Sequence, residues 1–173
     1  FCLFCSISFA IAKEYEDPIL LYKDNYFIFG DNDDQVKFQI SLQYNLIYPS
    51  KLGFFAGYTQ KSFWKMYNKS APFYETNYEP EIFYRFTSGN NVFGNIIIPF
   101  IDYIQVSPAH HLSNGRDGDA SRSMNTYYGE IQCSYGDVYN FGFTIKYFQY
   151  YNLSRKNKDY NDYRKNYESK IFF

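Results

Sequence analysis

The chain has 173 residues, 46% hydrophobic and 24% aromatic, with 21 Tyr, 19 Phe and one Trp, yet its mean hydropathy is −0.48. Seventeen basic against eighteen acidic residues give a net charge of −1, which excludes a whole-chain nucleic-acid footprint. The aromatic content excludes disorder, the composition excludes a coiled coil, and no apolar run after the N-terminus is long enough for a spanning helix. What survives is a β-rich domain, since Tyr and Phe fit pleated surfaces.

Residues 1–12, FCLFCSISFAIA, form a short apolar segment ending in the small-x-small pattern of a secretory cleavage site. They are expected to be the remnant of a leader that has lost its initiator Met and basic region, a buried first strand being the alternative. Phe4 is too bulky, and the run before Cys5 too short, for a lipoprotein signal. Cleavage after Ala12 would remove Cys2 and Cys5 and leave Cys133 alone. Residues 13–173 would then form the domain.

From Val36 to Leu46 the chain alternates without a break: Val36, Phe38, Ile40, Leu42, Tyr44 and Leu46 on one face, Lys37, Gln39, Ser41, Gln43 and Asn45 on the other. A side-chain period of two is the signature of a strand. Phe54, Ala56, Tyr58, Gln60, Ser62 and Trp64 share a face in the same way. So do Tyr78, Pro80, Ile82, Tyr84 and Phe86, then Tyr127, Ile131, Cys133 and Tyr135, then Phe141, Phe143, Ile145 and Tyr147. A soluble sandwich or an outer-membrane barrel could use such strands. Strand lengths of about 9–13 residues, a preceding leader and aromatic strand ends favour the barrel. So do connections that are short at Pro49–Gly53, Ser88–Asn91 and Gly136-Asp137 but long at Lys65–Thr76, Asn114–Met124 and Asn152–Asn166. Pro108, which lacks a ladder donor, predicts a bulge or irregularity in the poorly alternating stretch Ile101–Ala109.

The segment from His110 to Asn125 carries the chemistry. On a strand His111 and Ser113 point to the same side, and Asn125 on the returning strand shares a face with Tyr127, Ile131 and Cys133. That face is apolar, where polar groups are costly unless they act there. A serine needs a base to become a nucleophile, and a histidine needs a partner on its other nitrogen; asparagine can be that partner. Two other possibilities remain open on the residues alone. His111 and Ser113 could be ordinary residues of a polar loop stem. His110, His111, Asp117 and Asp119 could hold a transition metal, although adjacent strand histidines point to opposite sides.

His111-Leu-Ser-Asn-Gly-Arg116 followed by Ser121-Arg-Ser-Met-Asn125 resembles the active-site signature of the outer membrane phospholipase A family. Tyr58-Thr-Gln-Lys-Ser-Phe-Trp64 and Pro72-Phe-Tyr-Glu-Thr-Asn-Tyr-Glu-Pro80 resemble it too, in the same order, and the similarity runs from Asp17 to the last residue. The resemblance implies an all-β, antiparallel, twelve-stranded transmembrane barrel in the bacterial outer membrane. It implies phospholipase A1 and A2 activity by a calcium-dependent homodimer on phospholipid, with no nucleic-acid partner. By position, Ser113 would be the nucleophile, His111 the base, Asn125 the group orienting the imidazole, and the Gly115 N–H a donor to the oxyanion. Calcium would be held by the carbonyl of Arg116, the hydroxyl of Ser121 and Ser70 of the partner subunit. Gln60 would face lipid and bond across the dimer.

Met124 stands where the family often has Trp, the loop before Pro72 is shorter, and Gly118 replaces an acidic residue, which puts any second calcium site in doubt. Seven or eight strands are expected between Asn25 and Phe173, so the 173 residues alone are expected to be neither a closed barrel nor an active enzyme. The rivals from other classes are a non-catalytic, porin-like or structural barrel and a secreted β-sandwich binding module.

Overall fold

A computed structural model describes residues 17–30, 36–48, 53–88, 98–135, 141–153, 157, 162 and 165–173. The expected leader, most of the 49–53 and 88–91 turns, and the turn at Gly136-Asp137 lie outside these residues. The described residues form one antiparallel sheet of nine strands: β1 (Ile19–Leu21), β2 (Tyr26–Phe29), β3 (Val36–Asn45), β4 (Phe54–Trp64), β5 (Phe73–Thr87), β6 (Ile101–Ser113), β7 (Ser123–Tyr135), β8 (Phe141–Tyr151) and β9 (Tyr167–Phe172). From β3 to β9 each strand pairs with its sequence neighbours, and β1 and β2 both lie along the free side of β3. The short-turn expectation needs correction: β5 ends at Thr87 and β6 begins at Ile101, so the connection is longer than Ser88–Asn91. Connections 46–53 and 65–72 are equal in length.

Polarity is inverted relative to a water-soluble domain. Gln39, Ser41, Gln43, Asn45, Thr59, Glu79, Glu81, Gln105, Ser107, His110 and Thr126 are buried, while Ile40, Leu42, Ile82, Val106, Phe143 and Ile145 are exposed on the other face. Aromatic side chains gather at both ends of that outer face. Trp64 stacks on Phe73, and Phe73 meets Phe38 edge-on; at the other end Phe54 meets Tyr84, and Phe100 meets Tyr135. Aliphatic residues between aromatic belts are the outer surface of a strand-built membrane protein.

The sheet curls enough for a side chain on its last strand to reach the segment beside its first. Lys170 Nζ on β9 reaches Asp24 Oδ2, between β1 and β2, at 2.7 Å. Inside, the Lys23 ammonium pairs with Glu81 at 2.8 Å, and Lys61 with Glu79 at 3.0 Å. The Tyr128 hydroxyl donates to Glu81 and accepts from Gln105 Nε2 at 2.6 Å. Gln105 also donates to Tyr22 at 2.7 Å and accepts from Arg85 Nε at 2.8 Å. These groups satisfy one another around an interior cavity of about 1110 Å³.

One irregularity decides what faces outward. Ser107 pairs with Tyr128 and His110 with Thr126, so Pro108 and Ala109 together oppose Tyr127 alone. The partner on the other side registers the same extra residue between Ile82 and Tyr84. This is the bulge that Pro108 predicted, and the Ser107 hydroxyl fills the gap by donating to Ile82 O at 2.9 Å. Before it the odd-numbered residues Gln105 and Ser107 point inward; after it the even-numbered His110 and Leu112 do, and His111 and Ser113 turn out.

Removing the Tyr128 hydroxyl leaves Glu81 and Gln105 short of a partner inside the sheet. Tyr128→Phe is expected to lower unfolding stability by about 1–3 kcal/mol in a denaturant titration in detergent, with little change in secondary structure.

Candidate active site

His111 and Asn125 sit directly opposite each other on β6 and β7, both on the outer face. His111 Nδ1 lies 2.8 Å from Asn125 Oδ1. A carboxamide oxygen only accepts, so Nδ1 carries the proton and Nε2 is left with its lone pair. Ser113 lies two residues further along β6, opposite Ser123 and beside Tyr78 of β5. All four polar residues are half-buried, on the side that carries exposed Tyr78, Val106 and Tyr127. The register thus brings hydroxyl, imidazole and carboxamide together, as their parity predicts. His110 points the other way and bonds Thr126 at 3.0 Å, and no metal-binding group of His, Cys, Asp and Glu exists among the described residues. That removes the transition-metal alternative for His110 and His111.

The loop after β6 is organised by Asn114. Its main-chain N–H donates to Arg122 O at 3.0 Å, and its side-chain amide donates to Ala120 O at 2.9 Å. Its Oδ1 accepts from the Arg122 N–H at 2.8 Å and, more weakly, from the Arg116 N–H at 3.4 Å. Gly115 has φ +61°, and a Cβ there would collide with the Tyr78 ring, so glycine is required. Its N–H donates to Ser113 Oγ at 3.1 Å. The Arg116 guanidinium donates to Tyr74 O at 2.6 Å, tying this loop to the start of β5, next to the loop that contains Ser70.

Ser70, at φ +74°, is exposed in that neighbouring loop. Arg116 O and Ser121 Oγ take no hydrogen bond among the described residues, and Asp117 and Asp119 lie in the same loop. Carbonyl and hydroxyl oxygens are the donor types that a hard cation such as calcium takes. Gln60 is on the outer face of β4, where it accepts from the Tyr58 hydroxyl at 3.0 Å and donates to Ser62 at 3.1 Å.

Three features escape the sequence. His111 Nε2 faces Ser123 Oγ at 3.1 Å, whereas no bond joins Ser113 to His111 among the described residues. Ser123 shares the face of Asn125, so parity could have revealed it. Asn157, only 2% exposed, donates to Ser123 O at 2.9 Å, and Asn114 staples the loop. Both depend on tertiary placement and carry no local signal.

The sequence profile of the family Phospholipase A1 matches residues 9–173. Phospholipase A1 of Proteus vulgaris is 33% identical over 159 residues, covering 76% of this chain and 53% of that protein. Phospholipase A1 of Escherichia coli K12 is 33% identical over 160 residues with the same coverage. The chain therefore spans about half the length of these relatives.

Among solved structures, the calcium-bound dimer of Salmonella typhi outer membrane phospholipase superposes with a TM-score of 0.65 at 30% identity, over 79% of this chain and 52% of that one. An active-site asparagine-to-alanine mutant of Escherichia coli outer membrane phospholipase A gives a TM-score of 0.73 at 27% identity, over 92% and 68%. With residues 9–173 matched by the family profile, the chain belongs to the phospholipase A1 family.

Proposed function

We propose that the protein is an outer-membrane serine hydrolase that removes acyl chains from phospholipids, active as a calcium-bound homodimer. The observation that carries this is the polar group of His111, Asn125 and Ser113 on the apolar outer face of the sheet. An ester bond of a membrane lipid would meet it there without leaving the bilayer. Family membership, and a relative whose active site contains an asparagine, support the same assignment.

Ser113 Oγ would attack the ester carbonyl while His111 Nε2 takes its proton. Asn125 Oδ1 fixes the tautomer and the ring plane through Nδ1. The Gly115 N–H would turn from Ser113 Oγ to the carbonyl oxygen as charge develops on it. His111 would then return the proton to the departing alkoxide, and water would release the acyl group by the same route. Arg116 O and Ser121 Oγ would hold calcium together with Ser70 of the partner subunit. When bound, the cation supplies positive charge beside the developing oxyanion. Gln60, a polar group among the exposed aliphatic and aromatic residues of the outer face, would exchange its bonds to Tyr58 and Ser62 for one to a second copy.

Ser113→Ala and His111→Ala are expected to lower phospholipid hydrolysis by the full-length protein at least about a thousandfold, and Asn125→Ala by less. A long-chain sulfonyl fluoride should label Ser113, and His111→Ala should abolish the labelling. Hydrolysis that survives Ser113→Ala would place the nucleophile elsewhere, and the absence of both hydrolysis and label would favour a non-catalytic barrel. Chelation of calcium should stop turnover, and Ser121→Ala should raise the calcium needed for half-maximal activity by about tenfold or more.

A further inference from the structure

The base and the oxyanion donor of the proposed reaction are both already engaged. The lone pair of His111 Nε2 takes the Ser123 hydroxyl at 3.1 Å, and the Gly115 N–H is spent on Ser113 Oγ at 3.1 Å. Ser113 and Ser123 are cross-strand partners, so two hydroxyls flank one imidazole edge. In the neutral imidazole Nδ1–H donates to Asn125, Nε2 accepts, and Ser123 is the donor. Ser123 is itself held from behind, because buried Asn157 donates to its carbonyl at 2.9 Å.

We infer that Ser123 is a positioning residue that holds the His111 imidazole in a resting state and competes with Ser113 for Nε2. The inference rests on the assignment of His111 as the base. One lone pair cannot accept two hydroxyl protons in line, so Ser113 becomes a nucleophile only when Ser123 lets go. The exchange breaks one neutral hydrogen bond and forms another, so the latch is weak enough to open under small rearrangements of the 114–122 loop.

The test uses the full-length protein in detergent micelles with 15N-labelled histidine. His111→Ala assigns the resonance. Loss of a donated proton moves an unprotonated ring nitrogen downfield. Ser123→Ala should therefore shift His111 Nε2 downfield, while Ser123→Thr, which keeps the hydroxyl, should leave it in place. Labelling of Ser113 by a sulfonyl fluoride should be faster in Ser123→Ala by about three- to tenfold and near wild type in Ser123→Thr. An unmoved resonance, or labelling that is unchanged or slower in Ser123→Ala, overturns the inference. The resonance is read without substrate, so its failure is distinct from failure of the hydrolase proposal, which His111→Ala tests.

Discussion

A single extra residue in β6 governs the orientation of the site. Gln105, Ser107, His111 and Ser113 are all odd-numbered, and on a regular strand they would share one face. The bulge at Pro108–Ala109 separates them: Gln105 and Ser107 stay in the polar interior, and His111 and Ser113 emerge on the apolar side opposite Asn125 and Ser123. Proline suits the position because it has no N–H to leave unpaired, and the Ser107 hydroxyl replaces the missing ladder donor. Without the bulge the imidazole would face Lys23, Glu79 and Glu81 and lose Asn125.

The inverted polarity of the sheet gives that turn its consequence. Inside, charged, amide and hydroxyl groups from four strands and from the segment between β1 and β2 bond to one another, which holds the sheet's curvature with few buried apolar side chains. Outside, aliphatic residues lie between aromatic belts, and any polar group there has to find partners on the same surface. His111, Asn125 and Ser123 do so in a chain; Gln60 does so with Tyr58 and Ser62. A site that satisfies itself when idle has to exchange partners to work, and the placement of Ser123 makes that exchange specific.

Much of this was legible in the sequence. The unbroken alternation of Val36–Leu46 gave β3 and the identity of its two faces, and the parity of Asn125 with Tyr127 placed it on the apolar side. Pro108 marked the irregularity. What it did to parity was not legible, because one residue cannot tell which neighbour doubles up; that is settled by pairing with β5 and β7. The poor alternation of Ile101–Ala109 was the visible trace of the phase change. Asn157 and Asn114 act through carbonyl and amide groups brought near by the fold, and no periodicity reports that.

The phase inversion can be measured directly. Spin labels placed one at a time from Tyr103 to Ser113, in the protein in lipid bilayers, report exposure to apolar oxygen through relaxation enhancement. The account predicts maxima at Ile104 and Val106 and then, across the bulge, at Ala109, His111 and Ser113. An unbroken alternation that continues on even-numbered positions through Leu112 would contradict it, since His111 and Ser113 would then face the interior.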